Sequence, residues 1–353
     1  MATKIFLTGV TGYIGGDALD AITTAHPDYS ITALVRSPDK GAKVAQKYVS
    51  VRLVYGDLDS KDVIEEEAAK ADIVCHFADC DHEPSANAII AGLAKGHDKS
   101  KPGWFIHTSG TGILEVDDLL RETYGTSAEK VYDDWDGIKQ CITLPDQAWH
   151  RNVDKIVLAG PEKSCGAVKT AIVCPPTIYG PGRGPDKGRS DQVYKMAEAV
   201  MKRGKGFMVG EGKNRWTQIH VHDLSSLYLL LVEAAAEGGG KATWDQEGYY
   251  FAENGEYYWG DMAKAVAKEV KKQGFIKTDE MDSVSKDEVN EIMPAGIAKW
   301  GMNSRCKAIR GRKLFGWTPK GKSLMEELPG IVEGEARVLG LKKGHAEVAT
   351  GDA

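Results

Sequence analysis

Two features near the start of the chain have the residue types and spacing to hold a phosphorylated ligand. The run Thr8-Gly9-Val10-Thr11-Gly12-Tyr13-Ile14-Gly15-Gly16 sets glycines three residues apart, directly after the apolar Ile5-Phe6-Leu7 and directly before a helical pattern. A glycine turn between strand and helix binds a dinucleotide pyrophosphate. Gly9 permits the tight turn, Gly12 lets backbone approach the phosphates, and Gly15 lets the helix pack close to the sheet. The free amides of the opening turn, from Thr11 through Gly12, Tyr13 and Ile14, then face the anion. The second feature is Arg36, which follows the apolar Ile31–Val35. A carboxylate at that place holds a ribose 2′-hydroxyl, whereas a guanidinium forms a charge-assisted fork with a 2′-phosphate. Such a bond contributes roughly 1.5–3 kcal/mol. The expected cofactor is NADP(H), with NAD(H) the weaker alternative. The alternative for Arg36 is a solvated loop charge.

The elements that position these residues alternate between short apolar runs and helical patterns, the signature of βαβ units. Strands are predicted at Lys4–Leu7, Ile31–Val35, Val51–Tyr55, Ile73–Phe77, Trp104–His107 and Val168–Cys174. Helices are predicted near Tyr13–Thr24, Lys61–Ala69, Ser85–Lys95, Asp146–Gly160, Ser190–Arg203, Leu224–Ala236, Trp259–Gln273 and Ser323–Leu339, with Asp223 as the cap of the Leu224 helix. The expected fold is α/β: a Rossmann doubly wound parallel sheet with a smaller C-terminal substrate lobe. Residues 1–175, with return segments at about 213–250, form the cofactor domain. Residues 176–212 and 251–343 form the lobe, and 344–353 a loose tail.

Composition narrows the partners. A net charge of −6 argues against a nucleic-acid surface. No apolar run reaches the length needed to span a bilayer, and no signal-peptide pattern precedes the first strand, so a cytoplasmic protein is expected. Six cysteines in 353 residues are too sparse for a disulfide framework. Cys75 and Cys80, with His76, Asp79, Asp81 and His82 around them, lack a second pair at zinc spacing, so no metal is expected. The partner implied is a small-molecule substrate, bound by a monomer or homodimer.

Further landmarks occur in a fixed order: Gly56-Asp57-Leu58, His76-Phe77-Ala78, Thr108-Ser109-Gly110, Pro175-Pro176-Thr177-Ile178-Tyr179-Gly180-Pro181, Ile219-His220-Val221-His222-Asp223-Leu224 and Leu314-Phe315-Gly316-Trp317-Thr318-Pro319. With these the chain resembles the extended and atypical short-chain dehydrogenase/reductases, the group of epimerase- and dihydroflavonol-reductase-like proteins. The resemblance implies cofactor contacts at Asp57, Leu58, Phe77, Ala78, Thr108, Pro175 and Ile178, in addition to the glycine turn.

It also exposes a departure. Members of the group use Ser or Thr, then Tyr-x-x-x-Lys on one helix face, to move a proton and hold the ribose. In this chain Gly110 falls at the serine position, between Ser109 and Thr111, and Leu144–Asp154 contains no tyrosine. The best register makes Asp146 the tyrosine equivalent and His150 the lysine equivalent, with Asp154 at a trailing acid. The candidate catalytic residues are therefore Ser109, Thr111, Asp146 and His150, and His150 doubles as a ribose ligand. A histidine near its unperturbed pKa of about 6.5 exchanges protons at neutral pH. The alternatives are a plain His150–Asp154 helix pair and plain strand-end hydroxyls at Ser109 and Thr111. The leading function is NADP(H)-linked oxidoreduction of a small carbonyl or alcohol. The rivals are a non-catalytic NADP(H)-binding or redox-sensing protein, and a sugar-nucleotide epimerase or dehydratase.

Overall fold

The structure is a computed structural model, which describes residues 2–342; the predicted tail at 344–353 lies outside the described residues. Seven strands form one sheet: β1 (Lys4–Thr8), β2 (Ser30–Val35), β3 (Arg52–Tyr55), β4 (Ile73–His76), β5 (Gly103–Thr108), β6 (Val168–Cys174) and β7 (Tyr249–Phe251). Their spatial order is β3-β2-β1-β4-β5-β6-β7 and every pairing is parallel. The order reverses at β1, so a crevice opens between β1 and β4 at their carboxyl ends, where doubly wound sheets bind ligands. Strands β4 and β5 are buried along their whole length, which is why they read as unbroken apolar runs, whereas the short edge strand β3 begins with the exposed Arg52.

Helices α1 (Tyr13–Ala25), α2 (Pro38–Lys47), α3 (Lys61–Lys70), α4 (Glu83–Gly96) and α5 (Arg151–Lys163) connect these strands. The sequence reading missed α2, although its start carries two standard signals: Ser37 caps it by accepting from the Lys40 amide, and Pro38 follows the cap. It also missed β7, whose three residues are too few to show a period.

Two element predictions need correction. The helix expected over Asp146–Gly160 begins only at Arg151, and His150 precedes it in the left-handed region at φ 62°. Pro145 and Asp146 lie in the loop before it, so Asp146 and His150 do not share a helix face. Asp223 does not cap a helix either. That helix, α7 (Val221–Ala236), starts earlier and is capped by the His220 ring, which accepts from the His222 amide at 3.1 Å. The Asp223 carboxylate instead accepts from the amides of Lys320 and Gly321, tying the C-terminal segment to the cofactor domain.

Two hydrophobic cores are distinct. The first fills the sheet and its helices; the second joins α6 (Gln192–Arg203), α8 (Trp259–Lys272) and α9 (Leu324–Val338) around Trp216, Trp259 and Trp300. The boundary differs from the expected one in detail: Cys306, Ala308 and Trp317 pack on the first core, within a segment assigned to the lobe. No described helix is long and apolar enough to cross a membrane.

Candidate active site

Gly9 and Gly15 play the steric parts expected of them. Gly9 has φ +75°, and a Cβ there would stand 2.6 Å from the Phe77 carbonyl carbon; a Cβ on Gly15 would stand 2.5 Å from the Gly9 oxygen. Both glycines are demanded by the protein's own backbone. Gly12 is different: its φ is −81°, and a Cβ would meet only the Gly9 oxygen, at 3.0 Å, leaving a bare backbone face at the helix start. Gly12→Ala is therefore expected to fold with a stability loss of about 1 kcal/mol or less, yet to bind a dinucleotide at least about tenfold more weakly, because the methyl occupies the phosphate's approach. Gly9→Ala is expected to lose about 2 kcal/mol or more, from positive-φ strain and overlap. Thermal melts and cofactor titrations on both variants check this, and a Gly12→Ala protein with full affinity would contradict it.

A cavity of about 280 Å³ lies over this turn, lined among others by Gly9, Thr11, Gly12, Arg36, Asp57, Leu58, Phe77 and Ala78. Arg36 is exposed on its wall, and among the described residues its guanidinium has no hydrogen-bond or ion-pair partner. The Asp57 carboxylate turns back on its own loop, accepting from Ser60 Oγ at 2.9 Å and the Asp59 amide at 3.1 Å; these bonds, Ser60's foremost, lower its pKa. The reading missed Lys40 and Lys187 on the same wall. Lys40 lies in the first turn of α2, and its ammonium is paired with Asp186.

Several other expected cofactor residues are also engaged within the fold. The Tyr13 side chain is buried, and its hydroxyl donates to the Gly180 carbonyl at 2.5 Å, so only its backbone remains for a ligand. Ile14 packs against the first core. The Thr108 hydroxyl is bound to Tyr228 Oη at 2.7 Å, and the Pro175 carbonyl accepts from the Thr111 amide at 3.0 Å. The cavity wall includes neither these residues nor Gly15, Ile178 and His150.

The chemistry begins where the cavity wall ends, at Asp79. The next two residues reach the imidazole of His150: Asp81 Oδ1 lies 2.8 Å and Cys80 Sγ 3.3 Å from Nδ1. The three ligand atoms fall within 4.8 Å of one another. The ring's other nitrogen faces glycine: a Cβ on Gly110 or Gly112 would stand 3.2 or 3.3 Å from Nε2. The glycine at the expected serine position thus makes room for the imidazole. Burial alone would lower the His150 pKa, but the bonds to Asp81 and Cys80 outweigh it and raise it to about 10.

Asp146 is not part of this group. Its side chain is exposed and pairs with Lys155 at 2.8 Å, an interaction that lowers its pKa and removes it as a proton donor. Ser109 and Thr111 are both buried, and neither hydroxyl has a hydrogen-bond partner of acceptable geometry. Ser109 lies near enough to Asp154 to favour its charge without making such a bond. Arg151, Glu115 and both nitrogens of His107 add further unpartnered buried polar atoms around the carboxyl end of β5 and the start of α5. A buried polar atom left without a partner costs about 1–3 kcal/mol, so each of these calls for a partner or a role.

Asp154, which accepts from Tyr249 Oη at 3.2 Å, is an acid at this site whose burial bears on stability. Burial raises its pKa to about 6, against the lowering pull of Ser109, His150 and Tyr249. The folded state therefore holds this proton more tightly than the unfolded chain. Stability is fully present below the unfolded value near 4 and is lost as pH rises through 6. Asp154→Asn removes that loss. Urea unfolding is expected to show the variant gaining on the parent by on the order of 3 kcal/mol between pH 4 and pH 7; a pH-independent difference would contradict the assignment.

The parallel seven-stranded sheet, the glycine turn and the cavity above it define a dinucleotide-binding Rossmann protein. A model of the NAD dependent epimerase/dehydratase family matches residues 5–94 and 151–255, and the chain belongs to that family. An oxidase of an Acremonium species, ucsJ, is 37% identical over 350 residues, covering 97% of this chain and all of the relative. A dTDP-glucose 4,6-dehydratase of Mycobacterium tuberculosis is 25% identical over 67% of this chain and 70% of its own length. Among solved structures, UDP-glucose 4-epimerase of Thermotoga maritima superposes with a TM-score of 0.63 at 16% identity, covering 96% of this chain and all of that one. The dTDP-glucose 4,6-dehydratase of Bacillus anthracis, solved with NAD, gives 0.63 at 16% identity over 95% and 97% of the two chains.

Proposed function

We propose that this protein is an NADP(H)-dependent oxidoreductase that interconverts a small carbonyl compound and its alcohol. One observation carries the reading: the cavity over the glycine turn ends at Asp79, and the next residues hold a histidine whose free nitrogen faces the carboxyl end of β5. The residues fit the cofactor, since Gly12 bares backbone for the pyrophosphate and Arg36 offers an uncommitted guanidinium for a 2′-phosphate. NADPH, when bound, supplies the hydride. His150 supplies the proton from Nε2, its charge held by Asp81 on Nδ1, and Asp81 acts as a positioning residue. A histidine that holds its proton across the neutral range favours the reducing direction.

The Acremonium relative's designation as an oxidase agrees with redox chemistry. The fold neighbours favour a second reading, a sugar-nucleotide epimerase or dehydratase, but the absence of Tyr-x-x-x-Lys at Leu144–Asp154 and the presence of Arg36 stand against it. Following NADPH absorbance with a panel of aldehydes and ketones separates the possibilities. Oxidation of NADPH with at least one carbonyl is the expected result. Tight binding without oxidation across the panel would overturn it in favour of a binding or sensing role.

A further inference from the structure

The loop after the Pro175–Pro176 segment does more than connect the two cores. Residues 181–188 lie across the first turn of α1: a Cβ on Gly16 would stand 2.9 Å from Gly184 Cα, and the Lys187 amide faces the Thr11 carbonyl at 3.4 Å. Two charged anchors hold this strap. Arg183 grips the buried Asp17, donating from Nη2 at 2.6 Å and from its backbone amide at 2.8 Å. Asp186 pairs with both Lys40 and Lys43 on α2. The strap is thus fastened on either side of the glycine turn, at α1 and at α2.

Between those anchors Lys187 lines the dinucleotide cavity. Three cations stand on that wall, and they differ in what holds them. Lys40 is committed to Asp186, and Arg36 lies beyond β2 at the 2′-phosphate end. Lys187 sits beside Thr11, where the helix amides face the pyrophosphate, and among the described residues its ammonium has no carboxylate partner. We infer that Lys187 is a pyrophosphate-binding residue, supplied to the cofactor site by the strap rather than by the Rossmann core. This rests on the dinucleotide reading of the cavity. It gives the strap a function: a cation over the phosphates complements the helix amides beneath them.

Calorimetric titration of Lys187→Ala with ADP, NADH and NADPH tests the inference. Each ligand carries a diphosphate, and only NADPH carries the 2′-phosphate, so all three are expected to weaken, each by about five- to twentyfold. Lys187→Arg is expected to recover most of that loss. Unchanged affinity for ADP and NADH would overturn the inference, and so would a loss confined to NADPH, which would move Lys187 to the 2′-phosphate. Because ADP has no 2′-phosphate and needs no turnover, its titration succeeds or fails independently of cofactor preference and of activity.

Discussion

Replacing His150 with alanine is expected to lower kcat for NADPH-linked carbonyl reduction by about 10²- to 10⁴-fold, the range that a positioned proton donor contributes. NADPH affinity should change by less than about threefold, since the imidazole lies outside the cavity wall and adds no phosphate contact. The pH profile distinguishes catalysis from packing. With its carboxylate partner the ring holds its proton up to about pH 10, so the rate should stay level through neutrality and decline on the alkaline side. Asp81→Asn removes the carboxylate that raises that value. The decline should then move toward the unperturbed histidine pKa of about 6.5, with folding intact because Asp81 is exposed. A His150→Ala enzyme retaining full kcat, or an Asp81→Asn profile that does not shift, would remove His150 from the chemistry.

The second large effect concerns the cofactor's extra phosphate. Arg36→Glu exchanges a free guanidinium on the cavity wall for a carboxylate. The loss of a charge-assisted fork worth roughly 1.5–3 kcal/mol, with like-charge repulsion added, is expected to weaken NADPH at least about tenfold. NADH, which presents only hydroxyls there, should bind almost as before, or better if the carboxylate accepts from the ribose. Fluorescence titration of both reduced cofactors reads this directly, and equal losses for the two would show that Arg36 does not recognise the 2′-phosphate.

Legibility in the sequence followed how local each signal was. The glycine turn and β1 to β6 could be read because strand, turn and helix are contiguous, and because the central strands are apolar throughout. The edge strand β7, three residues long, gives no periodicity to find. The helical geometry expected around His150 does not form. A register drawn over Leu144–Asp154 assumes continuous helix, but the chain turns through a left-handed residue at His150 before α5 begins. That turn leaves Asp146 on the surface with Lys155 and swings the imidazole toward Cys80 and Asp81, seventy residues away in the chain. No spacing rule links those positions; the start of α5 meets the start of α4 in space, where Asn152 donates to the Asp81 carbonyl and the Glu83 carboxylate. Lys187 was invisible for the same reason, since its place at the cavity depends on the distant anchors at Asp17, Lys40 and Lys43.

The most direct test is a calorimetric titration of the native protein with NADPH and, separately, with NADH. Saturable one-to-one binding of NADPH, at least about tenfold tighter than that of NADH, is the expected result for a glycine turn that grips the pyrophosphate and a guanidinium that grips the added phosphate. Folded protein that releases no heat with either dinucleotide, or that prefers NADH, would contradict it.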